Sequence, residues 1–178
     1  MHLETERLVI RDWQPIRDAR QALDIYGDEQ VTRWLAASEC DRSIHETQAR
    51  LHRYVSLTQS GLGAWAVVEK AIDHVIGTVL LIPLPQVSQQ PSGLIEIGWH
   101  FRPASWGYGY ATEAAQQIIQ HAFETVKLSE IYAVALPGNL RSIAVMKRLG
   151  MTLVGLSDRY HQGAELMLYC LKAEAATA

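Results

Sequence analysis

The chain has 178 residues, of which 48% are hydrophobic and 20% charged, and its formal net charge at pH 7 is −3. That length suits one compact domain over residues 1–178, with a core large enough to need neither a metal nor a disulfide staple. The slight acidic excess argues against nucleic acid as a partner. No apolar run approaches the ~20 residues of a membrane span. Acids stand near the start where a signal peptide would carry basic and then apolar residues, so the expected location is cytoplasmic. Cys40 and Cys170 lack metal-ligand spacing and fit a reducing compartment.

In chain order, residues 7–13 read as a first strand ended by Pro15, and 18–26 and 28–35 as short helices parted by Gly27. A third helix opens on a capping box, Ser43 with Glu46, and runs to Gly61 with Ile44, Leu51, Val55 and Thr58 on one face. Strands are expected at 64–70, 74–82 and 94–101, with 83–93 as a long hairpin connection rich in Pro, Gln and Ser. A long amphipathic helix begins near Gly109. Its apolar residues Ala111, Ala114, Ala115, Ile118, Ile119, Ala122, Phe123 and Val126 recur at three- and four-residue spacing. A strand at 130–136, a helix at 139–149 stopped by Gly150, and strands at 152–155 and 165–171 close the chain. Hairpins and strand–helix–strand units together give an α/β (α+β) domain with a mixed sheet.

The chemistry is concentrated at Trp106-Gly107-Tyr108-Gly109-Tyr110-Ala111-Thr112-Glu113-Ala114, where a glycine-containing loop leads from a strand into the long helix. Free amides at a helix start, reinforced by the helix dipole, attract phosphate oxygens, and the glycines let the backbone approach or take positive φ. A dinucleotide fingerprint fails because Thr112 stands at its last glycine, and no Walker lysine is present. His45-Glu46 starts like a zinc-protease helix, but Ala49 stands where the second histidine belongs, so no metal is expected. A second segment, Asn139-x-x-Ser142 leading to Arg148-Leu149-Gly150-Met151, reads as a capped helix with a glycine stop. Trp13, Trp34 and Trp65 read as packing residues and Cys170 as a strand residue of the core; Cys40 lies in a polar loop without an assignable role.

Together, in this order, the two segments resemble the GNAT superfamily of acetyl-CoA-dependent N-acetyltransferases, in particular its ribosomal-protein N-terminal acetyltransferases. The resemblance covers almost the whole chain. It implies a sheet splayed as a V between the strands at 94–101 and 130–136, with Gly98 at a bulge, and acetyl-CoA held in the gap. The backbone of Trp99 to Phe101 would pair with the pantetheine amides. Gly107, Tyr108, Gly109, Tyr110, Ala111 and Thr112 would cradle the pyrophosphate, and Asn139 would bond the pantetheine arm. Trp106, also expected in the cofactor site, stands where the family commonly has Gln or Arg. Met146 stands where many members carry an acid tyrosine, and the branch implies Ser142 in that role instead, with a packing role as the alternative.

An alkylammonium has a pKa of about 10 and an α-ammonium about 8, so one proton must leave before attack. Glu96, among Leu94, Ile95, Ile97 and Trp99, is the first candidate base; pairing with a nearby arginine is its structural alternative. His100 is second, and Asp158 and His161 third, with Arg159 where the branch has an acid. The expected acceptor is a protein N-terminus. The alternatives are a small amine such as a polyamine, amino acid or aminoglycoside, or a non-catalytic module that binds acetyl-CoA. Acceptor choice is expected to lie in the first two helices and in the loops 83–93 and 157–163, with Trp34 beside the site. A homodimer is compatible with the branch, and neither a membrane nor a nucleic acid is expected as a partner.

Overall fold

The computed structural model describes residues 1–35, 39–88 and 90–173; Gln89, within the expected 83–93 loop, lies outside them. Eight strands form one sheet in the order β1-β2-β3-β4-β5-β6-β8-β7. They are β1 (His2–Glu4), β2 (Leu8–Arg11), β3 (Gly63–Glu69), β4 (His74–Pro85), β5 (Pro91–Phe101), β6 (Glu130–Ala135), β7 (Thr152–Ser157) and β8 (Leu166–Lys172). Every neighbouring pair is antiparallel except β5–β6. Parallel neighbours need a crossover, and α4 (Tyr110–Gln120), extended by one π-turn (His121–Thr125), supplies it.

The remaining helices are α1 (Pro15–Tyr26), α2 (Glu29–Thr32), α3 (Ile44–Ser56) and α5 (Leu140–Arg148). Pro15 does not merely end a strand; it opens α1, where its missing N–H costs nothing. Asp18 then accepts from the Gln14 amide and takes Arg11 in a two-pronged ion pair, which ties β2 to the first turn of α1.

The core divides by face. Leu8, Ile10, Trp65, Ile97, Phe101 and Ile131 pack with Ala114, Ala115 and Ile118 of α4 and Ile143 and Met146 of α5. On the opposite face, Ala19, Ala22, Ile25 and Tyr26 of α1 and Leu51 of α3 cover Ala66, Val68 and Val75. A third cluster, Leu84, Tyr160, Leu166 and Leu168, packs with Leu94, Tyr132 and Leu136. Burying one such aliphatic side chain stabilises the fold by about 1.5–3 kcal/mol.

Several sequence expectations need correction. The three-residue β1 was not expected, because a strand that short carries no readable alternation. The 83–93 loop is shorter than read: β4 continues to Pro85 and β5 starts at Pro91. Pro83 and Pro85 fall where β3 has stopped pairing at Leu81, so this end of β4 is an edge with only β5 beside it, the place in a sheet where proline is tolerated. On α3 the buried residues are Thr47 and Leu51, while Ile44 and Val55 are exposed. The helix lies in an outer layer over α1 and β3, so only a narrow stripe is covered.

The Ser43 cap is present, its Oγ accepting from the Glu46 amide at 3.2 Å. Glu46 reaches back to the Arg42 amide at 2.7 Å rather than to that of Ser43. Ser43→Ala should therefore cost about 1 kcal/mol of unfolding free energy in urea titration. A loss within 0.3 kcal/mol of zero, on an order-of-magnitude scale, would show that the cap is idle.

Candidate active site

The parallel pair is joined at a single register position, Glu96 opposite Tyr132. Past that point, among the described residues, the edges of both strands run on unpaired toward their C-terminal ends. The splay expected from the sequence is therefore present. The bulge at Gly98 is not: β5 stays in register with β4 through Leu80–Gly98 and Val79–Trp99. Gly98 is instead small for packing, since a Cβ there would lie 3.0 Å from Leu80 Cδ1. Alternation along β5 puts Ile95, Ile97, Trp99 and Phe101 on the α4 face and Glu96, Gly98 and His100 on the other. Phe101 thus buries its side chain and Trp99 partly buries its own against the α4 face.

The loop after β5 runs straight into α4. Gly107 and Gly109 have φ of 86° and 84°, and Gly109 is the N-cap of the helix. The first amide of this stretch to find a carbonyl is that of Glu113, which donates to Gly109 O at 3.0 Å. Among the described residues, no group accepts from the amides of Gly107, Tyr108, Gly109, Tyr110, Ala111 or Thr112. Thr112 Oγ1 beside them is buried and likewise without a partner. Gly107, Tyr108 and Gly109 are exposed, so the row is open to a ligand. Six free donors at a helix start with a dipole charge of roughly half a proton fit a diphosphate.

The cradle is braced from several directions. Arg7 donates to Tyr108 O at 3.0 Å, pairs with Glu113 at 2.6 Å and covers the Tyr110 ring at 4.6 Å. Burial would raise the Glu113 carboxyl, but hydrogen bonds from Thr5 and Arg7 outweigh it and hold the group below its usual range. Tyr110 donates to Glu69 on β3. Trp106, expected to contact the cofactor, spends its Nε1 on Phe101 O at 2.7 Å. Its ring is covered by the Arg141 guanidinium at 4.6 Å. That contact joins the loop after β5 to the first turn of α5, across the mouth of the splay.

At the end of β6, Asn139 caps α5 by accepting the Ser142 amide at 3.2 Å. Its oxygen is thus committed, and its amide nitrogen is the group left for a ligand carbonyl. The Ser142 hydroxyl has no partner among the described residues. Trp34 approaches from the α2 side, 3.7 Å from where a Cβ on Gly138 would stand.

The candidate bases fall in two places. Glu96 is 7% exposed, and among the described residues the ionisable group set against it is His161, at 3.1 Å between Oε2 and Nε2. Neither atom completes an aligned hydrogen bond, and both are buried. Burial pulls the His161 imidazole down, and the Glu96 carboxylate more than offsets it, leaving the ring above its ordinary value. Among the described residues no arginine pairs with Glu96, the structural alternative read from the sequence. His100 lies elsewhere, four residues on and about 13 Å along the strand. Its Nδ1 is 3.2 Å from the Tyr26 hydroxyl, which also bonds Thr78. Burial first, and the charge of Arg50 second, pull its pKa down to about 4. Arg50 is itself held by Asp41 at 2.7 Å and lies over the Tyr26 ring.

Cys40 places its sulfur 3.0 Å from the Thr32 hydroxyl, and Cys170 is only partly buried, its thiol pushed up by burial. Sequence reasoning missed Arg7, Arg141 and the pairing of Glu96 with His161. Each involves partners far apart in the chain, which no local periodicity marks.

Residues 7–152 match the family model described as an acetyltransferase (GNAT) domain. The chain is 26% identical over 159 residues to the uncharacterized N-acetyltransferase YoaA of Bacillus subtilis strain 168, covering 89% of this chain and 86% of that one. In fold it is similar to the ribosomal-protein-S5-alanine acetyltransferase of Vibrio fischeri, with a TM-score of 0.75, 22% identity and full coverage of both chains. It is also similar to RimL, a ribosomal L7/L12 α-N-protein acetyltransferase solved with coenzyme A. There the TM-score is 0.78 at 15% identity, over 97% of this chain and 98% of that one.

Proposed function

We infer, from the premise that this chain belongs to the GNAT acetyltransferase family and is an N-acetyltransferase, that its donor is acetyl-CoA and its acceptor the N-terminal α-amine of a protein. One domain over 1–178 carries the activity. The observation that carries the reading is the open row of unpaired amides from Gly107 to Thr112 where the two central strands part.

Acetyl-CoA supplies an acyl thioester whose carbonyl a neutral amine can attack. The chain's own residues do the rest. Amides 107–112 and Thr112 Oγ1 hold the diphosphate. The unpaired edge of Trp99, His100 and Phe101 binds the amide-bearing arm in the manner of an added strand. A free N–H on that edge offers a donor to the thioester oxygen as negative charge grows there. Asn139 donates its amide nitrogen to the arm, and the Ser142 hydroxyl stands beside it, able to give a proton to the departing sulfur. Glu96 receives the proton that the acceptor ammonium must lose.

A protein N-terminus is favoured because fold relatives with ribosomal-protein substrates align over nearly the whole chain. On the face of β5 that carries Glu96, the Glu96 end is bordered by the Tyr160–His161 turn, whereas the His100 end lies under Tyr26 of α1. Thiol release from acetyl-CoA, measured with a panel of N-terminal peptides, polyamines, amino acids and aminoglycosides, tests this. Turnover on peptides alone is the expected result. Turnover on small amines alone would assign the acceptor to that class, and tight coenzyme A binding without any turnover would make the chain a binding module.

A further inference from the structure

The one buried carboxylate on the acceptor side of β5 lacks any aligned hydrogen bond, and it is paired with a histidine held in an unfavourable backbone conformation. His161 has φ of 50°, left-handed for a residue with a Cβ. Holding it there costs on the order of 1–3 kcal/mol, which the surroundings must impose. They do so with two backbone bonds to the end of the β4 hairpin. His161 N donates to Pro85 O at 2.8 Å and Val87 N to Arg159 O at 3.1 Å, which together pair Tyr160 with Gln86. The turn is further closed by Gly163 N on Tyr160 O at 3.1 Å. The result is a ring whose Nε2 is fixed 3.1 Å from Glu96 Oε2.

The two side chains differ in access to water. Glu96 keeps 10% of its side-chain exposure and His161 22%, so the pair leads from a sealed carboxylate to a wetter imidazole. Few other ionisable groups meet it. Tyr132, opposite Glu96 on β6, donates its hydroxyl to Glu130 at 2.7 Å and is raised mainly by that bond, so it stays protonated. β4 contributes Ile82 opposite Glu96 and the backbone of Pro85. Asp158, Arg159 and Tyr160 precede His161 in the same turn, and Arg159 lines the neighbouring hollow with Tyr160.

We propose that Glu96 and His161 act as one proton-handling pair, the carboxylate receiving the acceptor's proton and the imidazole passing it to solvent. The proposal rests on the acetyltransferase reading above and adds His161 to its machinery. In the step, an N–H bond of the ammonium breaks as an O–H bond forms on Glu96. That O–H then breaks as Nε2–H forms on His161, and Nδ1–H of the same ring is lost to water. One proton leaves for solvent, no electrons change hands, and the amine is left neutral for attack.

Glu96→Gln and His161→Asn test it, asparagine being a side chain that tolerates the left-handed conformation. On the best peptide of the panel, each should lower kcat/KM about a hundredfold at pH 7. The deficit should shrink as pH rises toward the acceptor's own pKa, and the double variant should be no slower than Glu96→Gln. Coenzyme A affinity by calorimetry should be unchanged in both. His161→Asn within threefold of wild type, or losses that multiply in the double variant, would overturn the pair while leaving the acetyltransferase reading intact. A wild-type chain that does not bind coenzyme A at all would instead sink that reading. Independently of any acceptor, the His161 ring followed by NMR should titrate at lower pH in Glu96→Gln, because burial is then unopposed; an unmoved midpoint would reject the pairing.

Discussion

Gly109→Val is expected to weaken coenzyme A binding about a thousandfold while leaving the protein folded. The reason is conformational rather than steric. A Cβ at Gly109 would meet only Arg7 Nη2, at 3.6 Å, but φ of 84° is a value that a β-branched residue does not hold. The chain must rotate at the N-cap of α4, and the amides on either side turn with it. Hydrogen bonds to a charged acceptor contribute about 1.5–3 kcal/mol each. Losing the alignment of three removes at least about 4 kcal/mol, or three decades of affinity. Gly109 is exposed and no buried side chain rests on it, so the strain should lower stability by about 1–3 kcal/mol and leave the chain folded, as urea titration checks. Calorimetry with coenzyme A checks the result, and unchanged affinity would show that the diphosphate sits elsewhere. Gly109→Ala should fall between the two.

The second large effect is on stability in acid. His100 titrates at about 4 in the folded chain, against an ordinary value of 6.5. Between those two pH values the unfolded chain binds a proton that the folded one refuses, so stability falls as pH drops from 6.5 toward 4 and levels off below. The gap corresponds to about 3 kcal/mol, an upper limit because part of the ring still meets water. His100→Gln should flatten the urea-derived stability curve through this window while changing little at pH 7.5. Native carboxylates add their own slope in acid, so the informative quantity is the difference between variant and wild type. Parallel curves for the two proteins would refute the assignment.

The parts of this molecule that could be read from the sequence are those in which cause and effect are neighbours. The cap at Ser43, the apolar stripe of α4, the glycines before it and the Asn139 cap all act within one helical turn. The mixed sheet followed from the alternation of strands with helices. What escaped reading depends on distant residues. Thr5 and Arg7 brace a carboxylate, Glu113, that lies 108 and 106 residues away. Glu96 and His161 were each singled out, yet nothing in the spacing of a strand and a late turn says that they touch. Gly98 was placed at a bulge by the family resemblance, but a glycine in a strand also serves close packing. Only the position of Leu80 shows that packing is the one at work here.

The lone rung between β5 and β6 has a mechanical consequence. Strands β1 to β5 and the trio β6, β8 and β7 share one hydrophobic core but almost no ladder, so the backbone offers little to keep their breathing in step. A guest that bonds to both lips would serve as a temporary extra strand. Slow amide exchange in the trio should then become tied to that in the larger sheet only while the guest is present.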